Sequence, residues 1–146
     1  MSEEESGKED QKQEYHASAD ADPIKQIIVV RDLRKIWKAH PGKMAGQVAH
    51  AAAWFACDKA MAGVKLTPDE TYWFKNGAAK IVKRGPETVE GLQEIQNQAE
   101  SIGVVTHLVV DHGKTVFKER TITCLSLGPA RVSILDPIVR PFPLMN

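Results

Sequence analysis

One alanine-rich stretch, residues 42–61 (GKMAGQVAHAAAWFACDKAM), carries four chemically capable side chains at helical spacing. Lys43, Gln47, His50 and Trp54 stand at i, i+4, i+7 and i+11, so a helix puts them on one stripe. An ammonium can hold an anion, an imidazole can move a proton, and an amide can orient either. Lys43 also falls in the first turn, where the helix dipole disfavours a cation, a placement consistent with service to a bound anion. A plainer reading fits the same four positions: a solvated lysine, a satisfied half-buried histidine and a tryptophan filling a gap. Met44, Val48, Ala52, Phe55 and Lys59 form a second arc, apolar except at its last residue, which suits the packed face.

A second group follows the apolar run VVTHLVV (residues 104–110): Asp111, His112, Gly113, Lys114 and Thr115. In open α/β sheets ligands lie at the carboxyl ends of strands, so an aspartate there is a candidate catalytic carboxylate. Asp-x-Gly also starts an ordinary turn, and that alternative stands beside the first. His107 and Asp111 share a strand face by even spacing, but no cysteine pairs or H-E-x-x-H pattern accompany them, so no metal site is expected. A lone Gly42-Lys43 is not a phosphate-binding loop.

The elements that must position these groups can be read along the chain. Residues 24–30 (IKQIIVV) are a β-branched run suited to a central strand covered on both sides. Residues 31–41 read as a basic connection with Arg31, Arg34, Lys35 and Lys38, leading into the helix over 42–61, closed near Gly63. Thr67-Pro68-Asp69-Glu70 opens a short helix, residues 78–82 form a second strand, and residues 87–101 a helix with Val89, Leu92, Ile95, Gln96 and Ala99 near one face. Residues 104–110 and 121–127 are the third and fourth strands, the last broken by Gly128-Pro129. The proline-rich end allows a short helical turn and an extended segment. The expected fold is α/β: a single domain with a mixed four-stranded sheet, helices on both faces, in the order β-α-α-β-α-β-β. Ten residues between the last two strands are too few for a helical crossover, so these strands pair antiparallel or the fourth lies elsewhere in the sheet.

The zero net charge conceals two unlike parts. Residues 1–22 hold eight acids and two lysines, a net of −6, and read as a disordered acidic tail; residues 23–146, the domain, carry +6. A basic body suggests an anionic partner, although a solubilising tail on an ordinary surface would look the same. Cys57 and Cys124 sit in apolar stretches without framework spacing, as small core residues of a reducing compartment do. No run is long enough to span a membrane, and the acidic start is not a signal peptide, so the expected location is cytoplasmic.

GKMAGQVAHA (residues 42–51) resembles the signature G-K-x-A-x-Q-x-x-H-A of the archaeal/eukaryotic-type, or type 2, peptidyl-tRNA hydrolases. IKQIIVVR is similar to that family's first strand, and Trp73 with GAAKIV resembles its W-x(n)-G-x-x-K-I segment. DHGKT resembles D-A-G-x-T, TCLSLGPA resembles T-x-L-x-I-G-P, and DPIVRPFPLM resembles D-x-V-T-G-x-L-P-L. The motifs keep the family's order and cover nearly everything after Pro23. The chain departs from the pattern in a longer connection over 31–41, His112 for alanine, Lys118-Glu119-Arg120 in place of a Pro/Gly turn, and Val139-Arg140-Pro141 for V-T-G.

The resemblance implies hydrolysis of the ester joining a peptide, or an N-blocked aminoacyl group, to the 3′ ribose of tRNA, with no metal, no cofactor and no covalent intermediate. It implies that Lys43 stabilises the developing oxyanion or a phosphate, that Asp111 orients Lys43 or acts as base toward water, and that Thr115 holds water or substrate. His50 and Gln47 are second candidates for proton transfer and positioning. Arg34, Lys35, Lys38, Lys114, Lys118 and Arg120 would meet tRNA phosphates without reading sequence. A membrane partner is not expected, and a homodimer is compatible with the sequence. A catalytically silent tRNA- or protein-binding homologue, or a hydrolase of the same fold acting on a non-RNA substrate, remain the alternatives.

Overall fold

In the computed structural model, which describes residues 21–146, the sheet has the strand order β2-β1-β4-β3, where β1 is Ile24–Val30, β2 Lys80–Arg84, β3 Thr106–Asp111 and β4 Thr121–Arg131. β1 pairs parallel with β2 and antiparallel with β4, and β3 pairs antiparallel with β4, as one of the two expected arrangements has it. β1 is buried along nearly its whole length, in keeping with its unbroken β-branched run.

Among the described residues, five helices cover the sheet: α1 Arg34–Ala39, α2 Pro41–Ala62, α3 Pro68–Lys75, α4 Val89–Ser101 and α5 Val132–Val139. On one face α1 and α2 pack Trp37 and Ala51 against Ile28, Val30, Val109 and Cys124. On the other, α4 and α5 pack Leu92, Ile95 and Leu135 against Ile27, Val29, Leu125 and Leu127. Each Val, Leu or Ile among them, fully buried, contributes about 1.5–3 kcal/mol, so the two layers hold the sheet from both sides. The chain is one α/β domain with a mixed sheet.

Several boundaries differ from the sequence reading. The connection over 31–41 contains α1, six residues that bury only Trp37, whose indole N–H donates to the Arg31 carbonyl. So short an element shows no helical period. α2 starts one residue earlier than expected, with Pro41 in its first turn, and ends on Gly63 at φ +69°. β2 starts at Lys80 because Gly77 and Ala78 both take positive φ and carry the turn further. Gly128-Pro129 does not break β4, which continues to Arg131. The register passes from Lys25 opposite Ala130 to Ile27 opposite Leu127, so a bulge absorbs the two residues. α5 runs for eight residues despite Pro137 and buries Leu135, Ile138 and Val139.

Two features sit where residue types alone gave no direction. Asp22, placed by composition in the acidic tail, accepts hydrogen bonds from the backbone N–H and hydroxyl of Ser133 in the first turn of α5. Residues 1–20 of that tail lie outside the described residues. Lys59, the polar end of the apolar arc of α2, pairs with Glu70, which is 3% exposed and also closes the capping box with Thr67 at the start of α3.

Candidate active site

α2 runs antiparallel to the direction of β3, so the start of the helix meets the end of the strand. Lys43, in the first turn of α2, thereby reaches Asp111, the last residue of β3: Nζ lies 2.5 Å from Oδ1. The same ammonium donates to Thr115 Oγ1 at 2.8 Å. The cation at a helix N-terminus is therefore balanced by the chain's own carboxylate.

Asp111 is 7% exposed, and burial by itself would raise its pKa. The Lys43 ammonium and the Gly113 N–H, which donates to Oδ2 at 2.9 Å, outweigh that penalty and hold the carboxyl below its ordinary value. The turn that supplies this N–H requires glycine: Gly113 has φ +77°, and a Cβ there would lie 2.6 Å from the Glu119 backbone. The Asp-x-Gly turn and the carboxylate site are thus one structure.

Gln47, one turn along α2, approaches Asp111 Oδ1 with its amide nitrogen at 3.5 Å, and its Oε1 accepts from the Thr123 hydroxyl at 2.6 Å. Thr123 is fully buried and was not singled out from the sequence. Val109 pairs with Cys124 and Val110 with Ile122, so Thr123 is the extra residue of a bulge in β4. The signal that could have found it was the leading threonine of TCLSLGPA, to which no role had been attached.

His50 lies elsewhere. Its ring stacks on Trp54 at 4.3 Å between centroids and faces His107 at 5.4 Å, while His107 Nδ1 lies 3.3 Å from Asp58. Burial, then the neighbouring His107, lower the His50 pKa, so the neutral ring is favoured. Of the five candidate catalytic residues, Lys43, Gln47, Asp111 and Thr115 converge, and His50 joins a separate aromatic cluster.

The six candidate phosphate contacts are all exposed. Arg34, Lys35 and Lys38 lie on α1, whereas Lys114, Lys118 and Arg120 lie between β3 and β4. Trp37 and Phe117 join these segments, their rings meeting edge to face at 5.7 Å. Arg34 also pairs with Asp32 at 3.2 Å. Both cysteines are free: Cys57 is half-buried, and burial pushes the Cys124 thiol up to about 12, so it packs as an inert apolar residue.

Lys43, Asp111 and Thr115 form a lysine–carboxylate–hydroxyl group at the carboxyl edge of a mixed α/β sheet, a candidate site for hydrolytic or transfer chemistry. The family model described as peptidyl-tRNA hydrolase PTH2 matches residues 24–145, and the chain belongs to that family. It is similar to the peptidyl-tRNA hydrolase of Thermococcus onnurineus, 36% identical over 118 residues, covering 78% of this chain and 91% of the relative. With that of Thermoplasma acidophilum it is 35% identical over 123 residues, covering 84% and 99%. With that of Sulfurisphaera tokodaii it is 36% identical over 115 residues, covering 78% and 92%. Among the described residues no helix is long and apolar enough to cross a membrane.

Proposed function

We infer that this chain hydrolyses the ester between a peptide and the 3′ ribose of tRNA, releasing free tRNA and peptide. Membership of the family supports the reaction, and the convergence of Lys43, Asp111 and Thr115 supports the way it runs.

Water attacks the ester carbonyl, and negative charge grows on the carbonyl oxygen. Lys43 has three N–H donors, two of them engaged by Asp111 and Thr115, so the third can meet that oxyanion without reorganisation. Asp111, held below its ordinary pKa, is ionised and a weak base. Its chief work is to fix the ammonium; it takes the proton from water only as the new C–O bond makes that proton acidic. Thr115, exposed beside Lys43, accepts from the ammonium and turns its own O–H toward water or carbonyl. Gln47, its amide oriented by Thr123, approaches the same Asp111 Oδ1 that Lys43 meets, and the Gly113 N–H holds Oδ2. When the ester breaks, the ribose 3′ oxygen takes up the proton that the water gave.

The cations of α1 and of the segment before β4 flank this site, where they would hold tRNA phosphates by charge and shape alone. Such binding suits an enzyme that accepts many tRNAs, and we place its work in the cytoplasm. The test is turnover of N-acetyl-aminoacyl-tRNA by the full chain over a salt series. Hydrolysis with a Michaelis constant that rises steeply with salt is expected; absence of turnover, or salt-independent turnover, overturns the reading.

A further inference from the structure

The two outer edges of the sheet differ. β2 carries Lys80, Lys83 and Arg84, and the end of the chain covers its free edge. Lys83 bridges Leu144, the Arg84 N–H donates to the Pro143 carbonyl, and the Met145 N–H donates to that of Val82. β3, at the opposite edge, pairs with β4 on one side, and among the described residues its backbone makes no hydrogen bond on the other. The Val105 carbonyl accepts from the Gly128 N–H. By the alternation of an antiparallel ladder, Thr106 and Leu108 therefore turn their N–H and C=O groups outward. Open edges are commonly guarded by lysine, proline or inward charges, yet none of residues 106–110 (THLVV) is a lysine, arginine, carboxylate or proline.

This open edge leads straight into the catalytic group. The last residue of β3 is Asp111, whose carboxylate meets Lys43. At about 3.4 Å per residue, Leu108 stands about 10 Å back from Asp111 along the strand and Thr106 about 17 Å back. An extended peptide whose ester lies at Lys43 covers those distances in about three and five residues. Lys114, Lys118 and Arg120 follow Asp111 in the chain, so phosphates held there put the tRNA beyond the end of the strand and leave the strand to the peptide. The peptides that such an enzyme must release share no sequence, only a main chain. Strand addition recognises the main chain itself.

We propose that the outer edge of β3 binds the peptide of the substrate as an added strand, over about three to five residues next to the ester. Because the ester is at the carboxyl end of the peptide, that strand runs parallel to β3. The proposal rests on the peptidyl-tRNA reading above and assigns the binding site for the acyl half of that substrate.

The test uses one tRNA carrying an N-acetyl-penta-alanyl group, and five versions of it in which a single peptide nitrogen, in the first to the fifth residue from the ester, is methylated. In an added strand alternate residues face the neighbour. Methylation should therefore lower kcat/KM about three- to tenfold at every second position, the size of one lost hydrogen bond, and less than about twofold at the positions between. Equal losses at all five positions, losses that fade with distance from the ester, or no loss at any would overturn the proposal. No alternation together with a dimer in sedimentation equilibrium would give the edge to a second copy of this chain, and overturn it too. N-acetyl-alanyl-tRNA is too short to reach Leu108, so its turnover reports the hydrolase reading alone. Wild-type protein inactive on it and on the unmethylated penta-alanyl substrate would fail that reading, and the proposal with it, before any methylated peptide is compared.

Discussion

The Lys43 ammonium stands 2.5 Å from the Asp111 carboxylate, and each makes the other's position tenable. A lysine in the first turn of a helix meets an unfavourable dipole, and a carboxylate 7% exposed at a strand end meets a desolvation penalty. Placed together they cancel both, and the carboxyl ends below its ordinary pKa. The pair is fixed from three sides: by Thr115 on the ammonium, and by the Gly113 N–H and Gln47 on the carboxylate.

Lys43→Ala is expected to fold and to lose activity by about 10²-fold or more in kcat, the effect of removing a preorganised donor from a developing oxyanion. The core contacts of α2 come from Ala51 and Phe55, with Met44 and Val48 partly buried, so truncating Lys43 leaves them in place. Melting temperature should fall by only a few degrees. A folded variant with near-wild-type turnover would remove Lys43 from the mechanism.

Acid should destabilise the protein in two windows. The His50 pKa is lowered from 6.5, so below 6.5 the unfolded chain binds a proton that the native imidazole resists, and stability falls until that imidazole also titrates. Asp111 is lowered from 3.8, so its contribution is complete above 3.8 and disappears as pH falls through the lower native value. Melting temperature followed against pH should decline from 6.5 downward in the wild type and lose that first decline in His50→Gln. An unchanged slope in the variant would show that His50 is not the group responsible.

Much of this site could be read before any coordinates. Lys43 and Asp111 stood at a helix start and a strand end, positions that an α/β sheet brings to one edge, and periodicity is enough to locate both. Thr123 could not be read, because it reaches Gln47 only through a bulge, and a bulge leaves no mark in alternation. The same cause hid the passage of β4 through Gly128-Pro129. α1 was missed because it is six residues long and Trp37 is its one fully buried side chain, too little to show a period. His50 keeps the helix face it shares with Lys43 and Trp54, but its contact with His107 comes from β3, which helix spacing does not report.

Thr123→Val tests the positioning of Gln47. The substitution keeps volume and removes the hydroxyl that donates to Gln47 Oε1, leaving a half-buried acceptor unmet at a cost of about 1 kcal/mol. Turnover should fall severalfold while affinity for deacylated tRNA stays unchanged. Equal losses in both would point to a general loosening of the fold.

Truncation should separate two parts of the acidic segment. Deleting residues 1–20 should leave the melting temperature within about 2 °C, since their composition offers little apolar surface to bury. Deletion through Asp22, or Asp22→Ala in the full chain, should cost about 1 kcal/mol, because this carboxylate caps the first turn of α5 through Ser133. Equal melting temperatures for the two truncations would show that the cap contributes nothing.

The joint between α1 and the segment before β4 yields the remaining prediction. Lys38 and Lys118 lie on different elements, and Trp37 beside the first and Phe117 beside the second are in edge-to-face contact. The polar contacts of the Lys43–Asp111 pair come instead from Thr115, Gly113 and Gln47. Lys38→Glu and Lys118→Glu should each raise KM for N-acetyl-aminoacyl-tRNA with kcat unchanged. Because each removes one phosphate contact, the slope of log affinity against log salt should become shallower by about 1 per substitution. The double variant should sum the two effects if the cations meet separate phosphates. A salt slope unchanged in both single variants would place the tRNA backbone on another face of the protein.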